Sequence, residues 1–243
     1  MNNELLPARI SDLVYACDKT SVPKFLGFLT PSEATVAVSC LKNTGRYALF
    51  GGYDGAERTV LGVLPEWCET ADFPITAITF KYRKCDTLSH RDFLGSLMAL
   101  GIARECVGDI LVGEGRTVAF ISSDISGFVL SQISKIGKVG VELKEGYELP
   151  LPQLGKKQEC SDTVASMRLD CVVASLCDFS RKEADAAIAD GRVSVNSIAV
   201  QKSTYTVESG SIVTVRQKGR FEITDCSKQS KKGRIILEYN KYV

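Results

Sequence analysis

"MRLDCVVASLCDFSRKEADAAIADGRVSVNSIAVQKSTYTV", residues 167–207, changes its periodicity along its length, and that change decides the fold of the C-terminal third. Leu169, Val172, Val173 and Leu176 recur at helical spacing and form one apolar face. Ser180 with Glu183 three residues later is a capping box, so a second helix starts there, and Gly191 ends it. "VSVN" then alternates as a strand, Asn196-Ser197 supply a turn and "IAV" returns, which gives helix, turn, helix and hairpin. The second helix opens on Ser180-Arg181-Lys182, placing two cations beside free backbone N–H groups whose dipole already favours a negative ligand. Such a helix end suits a phosphate.

Charge isolates the same region. The whole chain of 243 residues carries a formal net charge of only +1, and its 44% hydrophobic and 24% charged content are those of a globular protein. Residues 164–243, however, hold 13 Lys+Arg against 9 Asp+Glu, whereas residues 1–163 hold 17 against 20. A basic C-terminal domain is therefore hidden in a neutral average, and the asymmetry points to an anionic partner. Further cations cluster around glycines in "RQKGRF" (Arg216, Lys218, Arg220) and "KQSKKGR" (Lys228, Lys231, Lys232, Arg234), where backbone can approach a phosphate chain. The nine cysteines are odd in number, scattered and without a C-x-x-C pair, so they read as reduced thiols with neither a disulfide framework nor a zinc site. No long apolar run spans a membrane and "MNNELLPARI" has no charged-then-apolar signal pattern, so a cytoplasmic protein without a membrane partner is expected.

Working outward from that segment, residues 148–163 ("ELPLPQLGKKQECSD" and its flank) have linker composition, so the expected domains are 1–73, 74–147 and 164–243, joined by a linker over 148–163. The middle segment reads as strand "ITAITFKYR", helix "HRDFLGSLMALGI", strands "GDILVG" and "RTVAFISS", helix "SGFVLSQISKI" and strand "VGVELK". That β-α-β-β-α-β order is the ferredoxin-like sandwich, shared by RNA-recognition (RRM) domains, although "RTVAFISS" lacks the aromatic RNA-stacking motif. Towards the N-terminus a helix is expected over Leu5–Cys17, and Thr30-Pro31 with Glu33 start a second one running to about Leu41. "YALF" and "TVLGV" then flank a glycine-rich turn as two strands. The overall expectation is a multidomain α+β protein.

His90-Arg91-Asp92 matches the catalytic tripeptide of protein kinases, but Leu97 stands where a magnesium-binding Asn is needed and no glycine-rich phosphate loop exists. The same letters suit a helix start, with Ser89 as cap, Asp92 on the free N–H groups and Phe93, Leu94, Leu97, Met98 and Leu100 as the apolar stripe. No catalytic residue, metal or cofactor is therefore assigned. His90 and Arg91 remain candidates for touching an anion.

Arg168-Leu169-Asp170, Ser180-Arg181-Lys182-Glu183-Ala184, Ile188, Gly191, Val193, Val195-Asn196 and Gln201-Lys202-Ser203 resemble the S4 (αL-type) RNA-binding domain, with Ser197 and Ser211 where that family usually has Gly and Asp. "FLTPSEA", "FGGYDGAER", "HRDFLGSLMALGIARECVGDI" and "KGRF", in this order, are similar to the bacterial YlmH family over nearly the whole chain. The resemblance implies a small N-terminal α+β domain, an RRM-like middle domain and a C-terminal S4 domain. It also implies a ribosome-associated RNA-binding protein that engages rRNA or tRNA on large subunits still carrying peptidyl-tRNA. Arg168, Ser180, Arg181, Lys182, Asn196, Gln201, Lys202, Arg216, Lys218, Arg220, Lys231, Lys232 and Arg234 are then the expected RNA contacts, with Arg58, His90 and Arg91 as a second surface. A monomer without a small-molecule substrate is expected. Two alternatives stay open: an RNA-modifying enzyme targeted by its S4 domain, for which no nucleotide loop or catalytic domain is evident, and an adaptor linked to cell division.

Overall fold

The computed structural model describes residues 5–42, 44–152, 157–196, 198–230 and 233–242, and the chain divides into two compact units, residues 1–154 and 155–243.

The first unit opens with α1 (Leu6–Thr20), β1 (Lys24–Leu29), α2 (Pro31–Leu41), β2 (Tyr47–Phe50) and β3 (Thr59–Val63). The strands form an antiparallel sheet ordered β1-β3-β2, and Leu6, Ile10, Leu29, Leu41 and Leu61 close its core against the two helices. The start of α2 follows the sequence: the Glu33 carboxylate accepts from the Thr30 backbone N–H at 2.7 Å while the Glu33 N–H donates to the Thr30 hydroxyl at 3.3 Å. β1 is an addition to the elements expected from the sequence.

The chain continues through β4 (Ile75–Lys81), α3 (His90–Ala99), β5 (Val107–Gly113), β6 (Arg116–Ser122), α4 (Ser126–Gln132), β7 (Lys135–Ile136), β8 (Val139–Gly140) and β9 (Glu142–Glu145). Antiparallel pairing in the order β5-β6-β4-β9 is that of the ferredoxin-like sheet. One face buries Ile78, Phe80, Ala119 and Ile121 against Phe93 and Leu97 of α3 and Val129 of α4. The other face is partly covered by residues from the N-terminal segment, since Leu111, Val118 and Phe120 share a core with Phe28 and Val60, and Tyr53 and Phe73 pack on it. Each such buried side chain is worth roughly 1.5–3 kcal/mol, so residues 5–73 and the middle sheet are held together by a common apolar layer. The second helix stops at Gln132 rather than reaching Ile136, because Lys135–Ile136 pairs with Val139–Gly140 instead.

The second unit contains β10 (Lys157–Val164), α5 (Leu169–Cys177), α6 (Arg181–Ala189), β11 (Val193–Val195), β12 (Ile198–Ala199), β13 (Ile212–Val215), β14 (Gly219–Asp225) and β15 (Ile235–Tyr242). Its sheet runs β10-β15-β14-β13-β11-β12. Leu169, Val172 and Val173 of α5 and Ala184 and Ile188 of α6 pack on Val213, Phe221 and Leu237 of the sheet. The helix–helix–hairpin order is the one expected from the sequence. The expected linker is not one throughout: residues 157–164 form an edge strand paired with β15 along its whole length, from Lys157↔Tyr242 to Val164↔Ile235. Polar composition hid it, because an edge strand of this kind draws on backbone pairing and not on an apolar pattern.

Candidate nucleic-acid interface

The sequence cluster Arg168, Asp170, Arg181 becomes a spatial one because the Arg181 side chain, at the start of α6, reaches Asp170 in the first turn of α5. The Arg168 Nε and Nη2 groups donate to the Asp170 carboxylate at 3.0 Å each, and the Arg181 Nε and Nη2 groups donate to Asp170 Oδ2 at 3.2 and 3.1 Å. Asp170 itself is buried, with 1% of its surface exposed, while the Arg168 and Arg181 side chains are 41% and 65% exposed. The hydrogen bonds from Arg168 hold the Asp170 carboxyl down at about 2, against the opposing effect of burial and with further help from Arg181. A permanently ionised buried carboxylate thus fixes two guanidinium groups side by side, with donors of each still facing solvent. Ser180 caps α6: its hydroxyl accepts from the Glu183 N–H at 3.3 Å and its own N–H donates to the Glu183 carboxylate at 2.8 Å. Lys182 follows, exposed.

The loop after β12 joins this end. The Leu169 N–H donates to the Tyr205 carbonyl at 2.7 Å and the Asp170 N–H to the Ser203 carbonyl at 3.2 Å, which brings the exposed Gln201 and Lys202 beside the start of α5. Lys218, in the β13–β14 turn, lies 4.8 Å from the ring centroid of Phe179, the residue preceding Ser180. Arg234 and Arg181 line one groove together with Asp162, Thr163, Phe179 and Ser180, and Arg234 donates to the Thr163 carbonyl at 2.9 Å. The exposed Arg216 stands in the same turn as Lys218, whereas Arg220 packs over the Tyr242 ring at 5.1 Å. Asn196 serves the fold: it turns the β11–β12 hairpin at φ 49°, and its side-chain carbonyl accepts from the Ile212 N–H at 2.8 Å. Lys231 and Lys232 lie outside the described residues.

The expected second surface does not assemble in that form. Arg58 is half-buried and donates to the carbonyls of Val107 (3.0 Å), Phe28 (2.8 Å) and Arg104 (3.4 Å), tying three segments of the first unit together. Burial lowers its pKa. The Asp92 carboxylate is engaged by the Ser89 N–H and hydroxyl at 2.8 and 2.6 Å, so the His90-Arg91-Asp92 tripeptide is the start of α3, as the sequence pattern indicates. The His90 pKa is lowered, first by desolvation and then by Arg104, which favours the neutral ring and weakens it as a phosphate contact. One residue that the sequence pattern does not single out completes this region: Asp109, buried, accepts from the Tyr53 hydroxyl (2.8 Å) and the Glu57 and Arg58 N–H groups (2.7 and 3.1 Å). No local spacing could have found it, because its partners lie more than fifty residues away in the chain. Phe179 carried a weak signal, an apolar residue just before a helix cap.

All nine cysteines are free thiols, and among the described residues no helix is long and apolar enough to cross a membrane. Two family models match the chain: "Putative RNA-binding domain in YlmH" over residues 68–148 and "S4 domain" over residues 167–213. The chain is 34% identical to the "Ribosome-associated protein quality control protein P2" of Bacillus subtilis, across 90% of this chain and 88% of that protein. The chain belongs to the YlmH family. A solved structure, "Cell division protein ylmH from Streptococcus pneumoniae", superposes with a TM-score of 0.52 at 20% identity, covering 60% of this chain and 92% of that one, and shares the fold. The S4 match spans α5, α6, the β11–β12 hairpin and the first half of β13, and so contains the arginine pair around Asp170.

Proposed function

We propose that this member of the YlmH family is a ribosome-associated RNA-binding protein whose principal RNA contact is the Arg168–Arg181 pair of its second unit and the cations around it, and that it engages rRNA or tRNA on large ribosomal subunits carrying peptidyl-tRNA after translation has stalled. The observation that carries the reading is the pair of exposed guanidinium groups, Arg168 and Arg181, held side by side by buried Asp170, a geometry matched to phosphate oxygens. The name of the Bacillus subtilis relative supports the ribosomal setting. Arg168, Arg181, Lys182 and Lys202 contact the RNA backbone, with Lys218, Arg216 and Arg234 extending the surface on either side. The protein acts as a monomer and by binding alone, without chemistry on a nucleotide.

The test is affinity for purified large subunits with and without peptidyl-tRNA. The full chain should bind the occupied subunits more tightly, because several surfaces engage together there. Equal affinity for the two would remove the stalled subunit from the proposal.

A further inference from the structure

We infer that the cavity between the start of α2 and the turn before β5 is an anion site, in which Arg58 and Arg104 together hold one phosphate group of a small ligand. The site belongs to the first unit and uses none of the residues assigned to the second.

Arg58 precedes β3 and Arg104 stands in the turn between α3 and β5. Their guanidinium groups nevertheless meet at one acceptor: Arg58 Nε, at 3.0 Å, and Arg104 Nη1 both donate to the Val107 carbonyl. Arg58 Nη2 donates to the Phe28 and Arg104 carbonyls at 2.8 and 3.4 Å. Arg58 Nη1 and Arg104 Nε and Nη2 have no partner among the described residues, and neither side chain forms an ion pair with a carboxylate there. Both are only partly exposed. Two adjacent guanidinium groups withdrawn from water without a bonded carboxylate repel each other, and an anion between them removes that repulsion.

Both arginines line a cavity of about 250 Å³, together with Phe28, Thr30, Glu33 and Glu105. This is the space of several water molecules at about 30 Å³ each. The nearby carboxylates are committed elsewhere. Glu33 accepts from the Thr30 N–H and hydroxyl at 2.7 and 2.8 Å, Glu105 pairs with Arg9 at 3.4 Å, and Asp109 takes the Tyr53 hydroxyl and the Glu57 and Arg58 N–H groups. Glu33 and Asp109 still attract Arg58 through space, but burial outweighs them and its pKa falls. Arg104 falls to about 10, through burial and then through Arg58, and His90 is lowered by burial and then by Arg104. All three shifts disfavour the cation, and a bound anion would reverse them.

The uncommitted nitrogens select the ligand. Three of them, from two guanidinium groups, exceed what a carboxylate takes from a single arginine fork, and they match a phosphate with its additional oxygens and up to two charges. Glu33 and Glu105 on the same wall repel a chain of phosphates, so the site suits one phosphate on a small molecule and not an RNA strand.

His90 is the only histidine in the chain and feels the charge of Arg104, so its ring-proton NMR signals read the site in the unmodified full chain. They should move downfield and saturate as inorganic phosphate is added near neutral pH at constant ionic strength, because an anion at Arg104 raises the His90 pKa. In Arg104→Gln the half-saturating concentration should rise about tenfold, and in Arg104→Lys by less. Tighter binding of glycerol 3-phosphate than of inorganic phosphate would make the ligand a phosphomonoester, and weaker binding would make it free phosphate; both outcomes support the site. Acetate at equal concentration should give no saturable shift. The site is overturned by His90 signals that do not saturate in the parent, by acetate binding as tightly as phosphate, by equal half-saturation in the parent and a folded Arg104→Gln, or by a ten-nucleotide oligouridylate that reproduces the phosphate-induced shift. The parent titration needs no variant, so it decides the matter even where Arg104→Gln fails to fold. None of these outcomes bears on the RNA affinity of the second unit.

Discussion

At the scale of single residues, Asp170 shows how a buried group positions exposed ones. Its carboxylate is buried and engaged by both Arg168 and Arg181, so it holds the two cations together and leaves the trio with one net positive charge. Its pKa is depressed to about 2 from 3.8, so it stabilises the fold by about 2 kcal/mol above pH 4, a contribution that disappears as the pH falls towards 2. Asp170→Asn should therefore destabilise the second unit by that amount at neutral pH, read from the urea dependence of amide exchange in α5, and the gap from the parent should close between pH 4 and pH 2. A gap that persists at pH 2 would mean that packing, not charge, sets the effect. Arg58 gives the opposite lesson. With its guanidinium spent on backbone carbonyls, Arg58→Met should lower the thermal midpoint of the first unit, by about 1–3 kcal/mol of stability, and leave RNA affinity unchanged. Weaker RNA binding with unaltered stability would restore Arg58 to the contact surface.

At the scale of elements, the helices of the candidate site were legible and some strands were not. α2 and α6 announce themselves through Thr30/Glu33 and Ser180/Glu183, because a capping box is a local arrangement written in four consecutive residues. β10 is written nowhere locally: "KQECSDTV" has the composition of a linker, and its strand character comes from pairing with β15, whose sequence lies some seventy residues on. β1 was hidden by Gly27, which reads as a strand breaker. A Cβ at that position would meet the Glu105 carbonyl oxygen at 2.7 Å, so close packing requires the glycine. The position of β10 matters for dissecting the protein. A fragment beginning at residue 164 would strip β15 of its partner, so it should melt well below a fragment beginning at residue 155 and aggregate through the bared edge. Equal midpoints by circular dichroism would show that β10 contributes nothing to the fold.

At the scale of the molecule, the chain folds as two compact units. The first uses three of its charged side chains on its own architecture: Asp109 on Tyr53 and the 57–58 backbone, Asp92 on Ser89, Arg58 on carbonyls. The family and the RNA-binding character were legible because S4 motifs are local. The division of the middle sheet's open face into a covered part and an exposed part was not, since it depends on where Phe28, Val60 and Tyr53 land. Because Asp92 is held in a helix cap, purified protein should release no phosphate from ATP or GTP above a mock preparation, and release abolished by Asp92→Asn would contradict a purely binding role. Whether the Arg168–Arg181 pair of the second unit is the main phosphate contact is decided by the salt dependence of RNA affinity. Arg181→Ala with Lys182→Ala in the full chain should weaken binding to a large-subunit rRNA fragment and reduce the slope of log K against log salt by ~0.7–0.9 for each phosphate that the protein no longer neutralises. An unchanged affinity and an unchanged slope would place the principal RNA contact elsewhere on the protein.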